Sequence, residues 1–290
     1  MSLQVLAAGH LTTVQDRGRP GWASLGVPRA GALDAPAADL ANRLVGNPAD
    51  AAVLEVSLGG LAVRTDRDCW VAVTGAEGPV TVDDLPRGHA RPERLRAGAL
   101  LEVGTPWRGV RSYVAVAGGI AVEPVLGSRS TDTLAWVGPP RVQAGAVLPV
   151  GEPAGPPAPL DTPRPGRPRT LRLHPGPRAD WFAGDPIAAM CHAAYTVEEA
   201  SNRVGLRLAG PPLERVRTGE LASEGMVLGA VQVPPSGQPV VFLADHPVTG
   251  GYPVVAVVDP ADLWICAQLR PGDEVRFSPA RPAAGAAPTR

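Results

Sequence analysis

Glycine and proline punctuate this chain so densely that long regular elements are excluded. Each occurs 34 times in 290 residues, and both residues end helices and strands. The combined share approaches the roughly 25–30% at which composition alone points to disorder. Yet 44% of the residues are hydrophobic and only 19% are charged. That is enough apolar surface for a core, so the Gly and Pro read as turns between short elements. The length corresponds to about two domains of roughly 150 residues.

The sequence marks its own boundary. More than half of residues 151–169 are Gly or Pro, which predicts an extended surface linker. It separates an N-terminal lobe, 1–155, from a C-terminal lobe, 170–277. Residues 278–290 read as a frayed tail. Short apolar runs bounded by Gly, Pro or Asp predict buried strands at Cys69–Thr74, Arg111–Ala117, Val240–Ala244 and Val254–Val258. Thr170–His174 and Arg203–Leu208 alternate, as half-buried strands do. A turn-plus-strand unit recurs at Leu95–Val103, Val142–Val150 and Leu269–Phe277. The class is therefore mainly β, closed or sandwiched, because barrels remove exposed edges. Two short helices interrupt it. Asp34 caps the first, near 35–45, where Ala37, Leu40, Ala41 and Leu44 share one face, and Gly46 and Pro48 end it. Asp259 caps the second, at about Pro260–Ala267.

The charges exclude several chemistries. The formal net charge is −1, which argues against a nucleic-acid binder. All 27 basic residues are Arg. With no Lys there is no Walker-type phosphate loop, no Schiff base and no biotin or lipoate attachment. Three widely spaced Cys without a Cys-x-x-Cys pair fit a reducing cytoplasm and no structural zinc. Five His show no metal spacing, and no nucleophile elbow or dinucleotide fingerprint occurs. No apolar run approaches the length of about 18 residues that spans a membrane.

Four segments concentrate polar groups among bends. Thr12–Asp34 carries Gln15, Asp16, Arg17, Arg19 and Arg29 ahead of a helix N-terminus. It is suited to an anion, or is a loop whose Arg and Asp pair internally. Glu198–Arg207 holds Ser201, Asn202 and Arg203, as ligand donors or as a plain Ser-Asn turn. Leu221–Pro235 offers Glu224 and Gln232, facing a pocket or facing solvent. Ala244–Pro253 offers Asp245 and His246 as a base or orienting pair, bare backbone at Thr249, Gly250 and Gly251, and the ring of Tyr252. An ordinary hairpin loop is the alternative.

Longer motifs carry a family resemblance. Leu11-Thr-Thr-Val-Gln-Asp-Arg-Gly-Arg-Pro-Gly-Trp22, Leu25-Gly-Val-Pro-Arg-Ala-Gly-Ala-Leu-Asp34, Ala41-Asn-Arg-Leu-Val-Gly-Asn-Pro48 and Leu54-Glu-Val-Ser-Leu-Gly-Gly60 lie in the first half. His174-Pro-Gly-Pro177, Ser201-Asn-Arg-Val-Gly-Leu-Arg207, Ser223-Glu-Gly225, Gly229-Ala-Val-Gln-Val-Pro234 and Thr249-Gly-Gly-Tyr-Pro253 lie in the second. Together they resemble the KipA / allophanate hydrolase subunit 2 family from about Val5 to Phe277. The resemblance implies a cyclophilin-like β-barrel architecture in two lobes. It implies one of three functions. The first is a subunit of ATP-dependent 5-oxoprolinase, which opens a cyclic amide to glutamate. In that enzyme the chain would correspond to the C subunit. The second is a carboxyltransferase-type subunit that acts on urea or a similar amide through carboxyl-biotin. The third is a regulatory protein that sequesters a kinase inhibitor. Implied partners are the KipI-like B subunit of 5-oxoprolinase and a LamB/YcsF-type A subunit, with ATP bound by the complex. Two departures stand out. Many relatives carry Lys where this chain has Val254, and an Arg-Gln pair where it has His246-Pro247, which weighs against biotin-type transfer.

In the 5-oxoprolinase reading the amide oxygen is phosphorylated and water then attacks. The expected catalytic residues are Asp245, then Glu224, to place the water, and Arg203 to meet negative charge. The expected substrate-binding residues are Asp16, Arg17, Arg29, Asn202, Gln232, Thr249, Gly250, Gly251 and Tyr252.

Overall fold

The computed structural model describes residues 1–158, 166, 168–217, 219 and 221–281. The N-terminal lobe is two antiparallel sheets. One runs in the order Val147–Pro149, Ser2–Ala8, Leu61–Thr65, Leu100–Val103, Val80–Val82 and Leu85–Pro86. The other runs Leu11–Gln15, Val53–Ser57, Arg108–Val116, Cys69–Glu77 and Pro92–Leu95. Their inner faces share a core in which Leu3, Val5, Leu61 and Val63 meet Val14, Leu54, Val56 and Val71. The first sheet alternates as a half-solvated sheet should, with Leu3 and Val5 buried and Gln4 and Leu6 exposed. The second is buried on both faces. Helix α1, Ala35–Leu44, lays Ala38, Ala41 and Leu44 on its outer side against Val53, Ala72 and Ala115.

The C-terminal lobe is a closed seven-stranded barrel. Its order is Thr170–Pro175, Val254–Val258, Ala230–Gln232, Val240–Phe242, Gly205–Ala209, Ala194–Val197 and Glu274–Pro279. The ring closes where the first and last strands pair in parallel, Leu171 opposite Phe277. Helix α2, Pro186–His192, is capped by Asp185, and helix α3, Leu263–Gln268, follows the short 3-10 turn Pro260–Asp262. The mainly β class is as the sequence predicts, but the closed barrel belongs to the second lobe alone.

Residues 151–158 form no helix or strand and none of them is buried, as an extended surface linker requires; the segment touches the first lobe where Ala158 N–H donates to Leu44 O, and a side chain at Gly46 would collide with Pro156 O at 2.4 Å. Residues 159–165 and 167 lie outside the described residues, as does the tail from 282. Ser278 and Pro279 are not tail: they pair with Arg172 and Leu173.

The lobes interlock through α3. Gln268 Oε1 accepts from Val110 N–H (2.9 Å) and Arg111 N–H (3.1 Å), and its Nε2 donates to Arg111 O (2.9 Å) and Asp34 Oδ2 (2.8 Å). Gly109 must be glycine here. Its φ is +80°, and a Cβ would sit 2.7 Å from Gln268 Oε1. In return, Leu33 of the N-terminal lobe sits in the barrel core.

Asp34 is thus both helix cap and seam residue. Burial pushes its pKa up to about 6, against the hydrogen bonds from Gln268 and Ala37 that hold it down. Nearby Glu55 adds to the rise and Arg111 opposes it. The folded state keeps this proton where the unfolded chain has lost it. Asp34 therefore adds stability that is fully present below about pH 4 and is lost as pH rises through about 6. The loss is about 3 kcal/mol at about 1.4 kcal/mol per pKa unit. Urea unfolding from pH 4 to 7 should show Asp34→Asn gaining about that much relative to the parent as pH rises. A gap that does not change with pH contradicts this assignment.

Candidate functional site

The seam between the lobes is organised around Arg203. The preceding Asn202 forms a turn, its Oδ1 accepting from Val204 N–H (2.8 Å) and Gly205 N–H (3.3 Å). That turn aims Arg203 across the interface. Its Nε and Nη2 donate to the two oxygens of Asp245 at 2.9 and 3.0 Å. Nη1 donates to Glu55 on the N-terminal lobe, and Nη2 also reaches Gly31 O at 2.8 Å. Glu55 Oε2 accepts from Tyr113 O–H (2.8 Å) and Leu33 N–H (3.0 Å). Asp245 Oδ2 accepts from Thr133 N–H and O–H, at 2.9 and 2.7 Å. Burial alone would lower the Arg203 pKa, but Asp245 and Glu55 outweigh it and hold the pKa above its ordinary value. Burial, then Glu55 and Asp34, push the Tyr113 phenol well up.

Asp245 and Arg203 are therefore placed differently from what the sequence suggested. They are 0% and 1% exposed, with their polar atoms committed to each other and to the opposite lobe. A base that must meet water does not fit the position of Asp245, whereas Arg203, though fully paired, is among the residues that line the neighbouring cleft.

Beside this network lies an interlobe cleft of about 210 Å³. Arg111, Ser57 and His10 line it from one lobe, and Glu199, Ser201 and Asn202 from the other. Leu206, Leu243 and Leu269 form apolar wall. Arg111 Nη1 donates to Ala267 O at 2.6 Å, while its buried Nε has no hydrogen-bond partner among the described residues. Burial lowers the Arg111 pKa; Glu55, 3.5 Å from its Nε, opposes that. The amide nitrogen of Asn202 makes no hydrogen bond within the described residues, so the cleft presents donors to an acceptor-bearing ligand.

The other expected site residues form separate groups. Glu224 ion-pairs with Arg178 on the outer face of the barrel, in a short ladder opposite Gly250. Gln232 Nε2 donates to Tyr252 O at 2.9 Å, and a Cβ at Gly250 would come within 2.7 Å of that nitrogen. Thr249 and Tyr252 are exposed, and among the described residues a Cβ built at Gly251 meets Leu221 O at 3.3 Å and nothing else within 4 Å. In the N-terminal loop, Asp16 is an anchor: Oδ1 accepts from Gly18 N–H and from the Ser128 and Ser130 hydroxyls, and Oδ2 from Arg129 N–H. Arg17 pairs with Asp39 at 2.8 Å. Arg29 is exposed. The anion site expected at the α1 N-terminus is closed, because Asp34 itself accepts from Ala37 N–H and Gln268 covers it. His246 is buried; desolvation lowers its pKa, and the charge of Arg29 pushes the same way.

Sequence reasoning missed Glu55, Arg111, Tyr113 and Arg178. The signal for Glu55 was present: a carboxylate inside the apolar run Val53–Ser57, every residue of which is buried. Among the described residues no cluster of His, Cys, Asp and Glu is placed to hold a metal, and no helix is long and apolar enough to cross a membrane.

The family described as carboxyltransferase domain, subdomain A and B, matches residues 25–279. This chain belongs to that family. Among carboxyltransferase-domain relatives, it is 39% identical to the C subunit of Escherichia coli 5-oxoprolinase over 95% of this chain and 90% of that protein. The C subunit of Haemophilus influenzae 5-oxoprolinase is 33% identical over similar shares. The solved structure of TTHA0988 superposes with a TM-score of 0.86 at 40% identity, and the Kluyveromyces lactis urea amidolyase with 0.90 at 30%. Each superposition takes in nearly the whole of this chain, 96% and 97%, but only 55% and 19% of those longer chains. The family's domain is thus similar both to free-standing subunits and to parts of larger polypeptides.

Arg203→Leu should lower the unfolding free energy by about 3–5 kcal/mol, since it leaves two buried carboxylates unpaired. Adding Glu55→Gln and Asp245→Asn to that variant should recover part of the loss. Urea denaturation measures both. A variant as stable as the parent would contradict the structural role of Arg203.

Proposed function

We propose that this chain is the C subunit of an ATP-dependent 5-oxoprolinase, working together with KipI-like B and LamB/YcsF-type A subunits. The observation that supports this is the 39% identity to the E. coli protein over 95% of this chain and 90% of that protein. Similarity to urea amidolyases keeps carboxyl transfer as a second reading, but the chain spans only 17% of the Lachancea kluyveri protein. With no Lys, it supplies no biotin attachment of its own.

The substrate of this reading is a small lactam with one carboxylate. The interlobe cleft suits it in volume and in lining. Leu206, Leu243 and Leu269 meet the ring methylenes, and Arg111 and Asn202 present donors to the oxygens. Donors held in a partly buried seam would hold the substrate carboxylate and, once ATP on another subunit has phosphorylated the amide oxygen, the phosphoryl oxygens that leave as phosphate after water adds, without reorganising. Glu199 is the carboxylate on the cleft wall able to take a proton from attacking water. With no Lys the chain has no Walker-type phosphate loop for ATP. ATP is assigned to another subunit, and this chain holds and polarises the lactam.

Glutamate release from 5-oxoproline and ATP by the three purified subunits tests the reading. The wild-type set should turn over only when complete. Asn202→Asp, which keeps the Oδ oxygen that caps the turn and removes the amide donor, should lower kcat/KM by roughly 10², the scale of losing one positioned donor, with assembly of the complex unchanged. No turnover by the complete wild-type set would refute the assignment.

A further inference from the structure

Strand Val53–Ser57 belongs to one sheet of the N-terminal lobe and Leu61–Thr65 to the other, so the chain changes sheets within three residues. All three hold positive φ: Leu58 at +59°, Gly59 at +74° and Gly60 at +82°. Glycine is required at the second, where a Cβ would collide with Gly104 O. The corner is pinned on both sides, with Leu58 N–H donating to Val110 O (2.8 Å) and Gly60 N–H to Val103 O (2.7 Å). Local chemistry favours Gly, Asn or Asp at the first position as well, because a larger side chain crowds the backbone there. Leucine stands there instead, and at 41% exposed it does not offset that cost by filling a core. It lines the interlobe cleft. Among the described residues seven positions other than glycine hold positive φ, and Leu58 alone of them borders the cleft. Strain kept at such a place marks a side chain retained for its contact with a ligand.

We propose that Leu58 is the specificity residue of the cleft, selecting a small cyclic amide over the charged open-chain acid that hydrolysis of the ring yields. The proposal rests on the reading of this cleft as the lactam site. Leu206, Leu243 and Leu269 are buried in the barrel lobe and form the floor. Leu58 comes from the other lobe and is a large, exposed apolar side chain on the wall. It is placed to cover the outer face of a ring that rests on the three buried leucines. The methylenes and neutral amide of a lactam lose little under such a cover. Ring opening creates an ammonium and a second carboxylate, which hold their water and are costly to cover with an apolar side chain. The same contact therefore favours binding of the ring and release of the opened acid.

Calorimetric titration of the intact chain with 5-oxoproline, and separately with glutamate, tests this. The parent should bind 5-oxoproline at least about 10-fold more tightly than glutamate. Leu58→Asn should weaken 5-oxoproline binding about 10-fold, the scale of one lost apolar contact, and leave glutamate binding unchanged. Its melting temperature should not fall, since Asn tolerates the left-handed conformation. A merely structural Leu58 would show the reverse, a lower melting temperature with selectivity intact. Leu58→Ala, a second variant, should give the same loss of selectivity. Leu126→Asn, at φ +51° in a turn that does not border the cleft, should bind both ligands as the parent does. Equal selectivity in the parent and the Leu58 variants overturns the proposal, as does a parent chain that does not bind 5-oxoproline. Glutamate release by the three-subunit set is scored separately. Turnover with selectivity unmoved at Leu58 removes this residue and leaves the function, whereas selectivity lost at Leu58 in an inactive set refutes the function and leaves the preference of the cleft standing.

Discussion

A guanidinium shared by two carboxylates from opposite lobes is the constraint on which the rest of this structure depends. Arg203 and Asp245 come from the barrel and Glu55 from the sandwich. None of the three meets solvent, so the charges must satisfy one another or be lost. That requirement fixes the rotation and spacing of the lobes more tightly than apolar contact alone, because bidentate pairing tolerates little displacement. Gln268 and Leu33 then fill positions the charges have already set.

The same constraint explains where a ligand is accommodated. The cleft lies beside the ion network, and the turn that aims Arg203 inward leaves the amide of Asn202 on the cleft wall. Arg111 contributes its backbone to the Gln268 contact and its side chain to the cleft. Residues that hold the lobes together and residues that face the cleft therefore alternate along the same short segments. The outer-face group around Glu224 and Gly250 has no such link. Its ion pair to Arg178 is about one-third exposed on each side and is worth little to stability.

Much of the fold was legible in the sequence. Val254–Val258 is a strand with the bounds its apolar run suggests, and Asp34 caps α1 as its spacing to Ala37 implies. Local chemistry decides such elements. The candidate site was legible only in part, because burial is a tertiary property. Nothing local distinguishes Asp245, sealed at the seam, from a carboxylate in an open loop. Glu55 stands out as a carboxylate inside an apolar strand, but its partners, like those of Arg111, appear only when the two lobes meet. What Gly and Pro composition did not disclose is where the linker touches the lobe: Gly46 leaves room for Pro156 to lie against it.

If Arg203 makes one cooperative unit of two cores, heat should not melt them separately. Differential scanning calorimetry of the intact chain tests this most directly. The account predicts one transition whose calorimetric enthalpy equals its van't Hoff enthalpy. Two resolved transitions in the unmodified protein would contradict it.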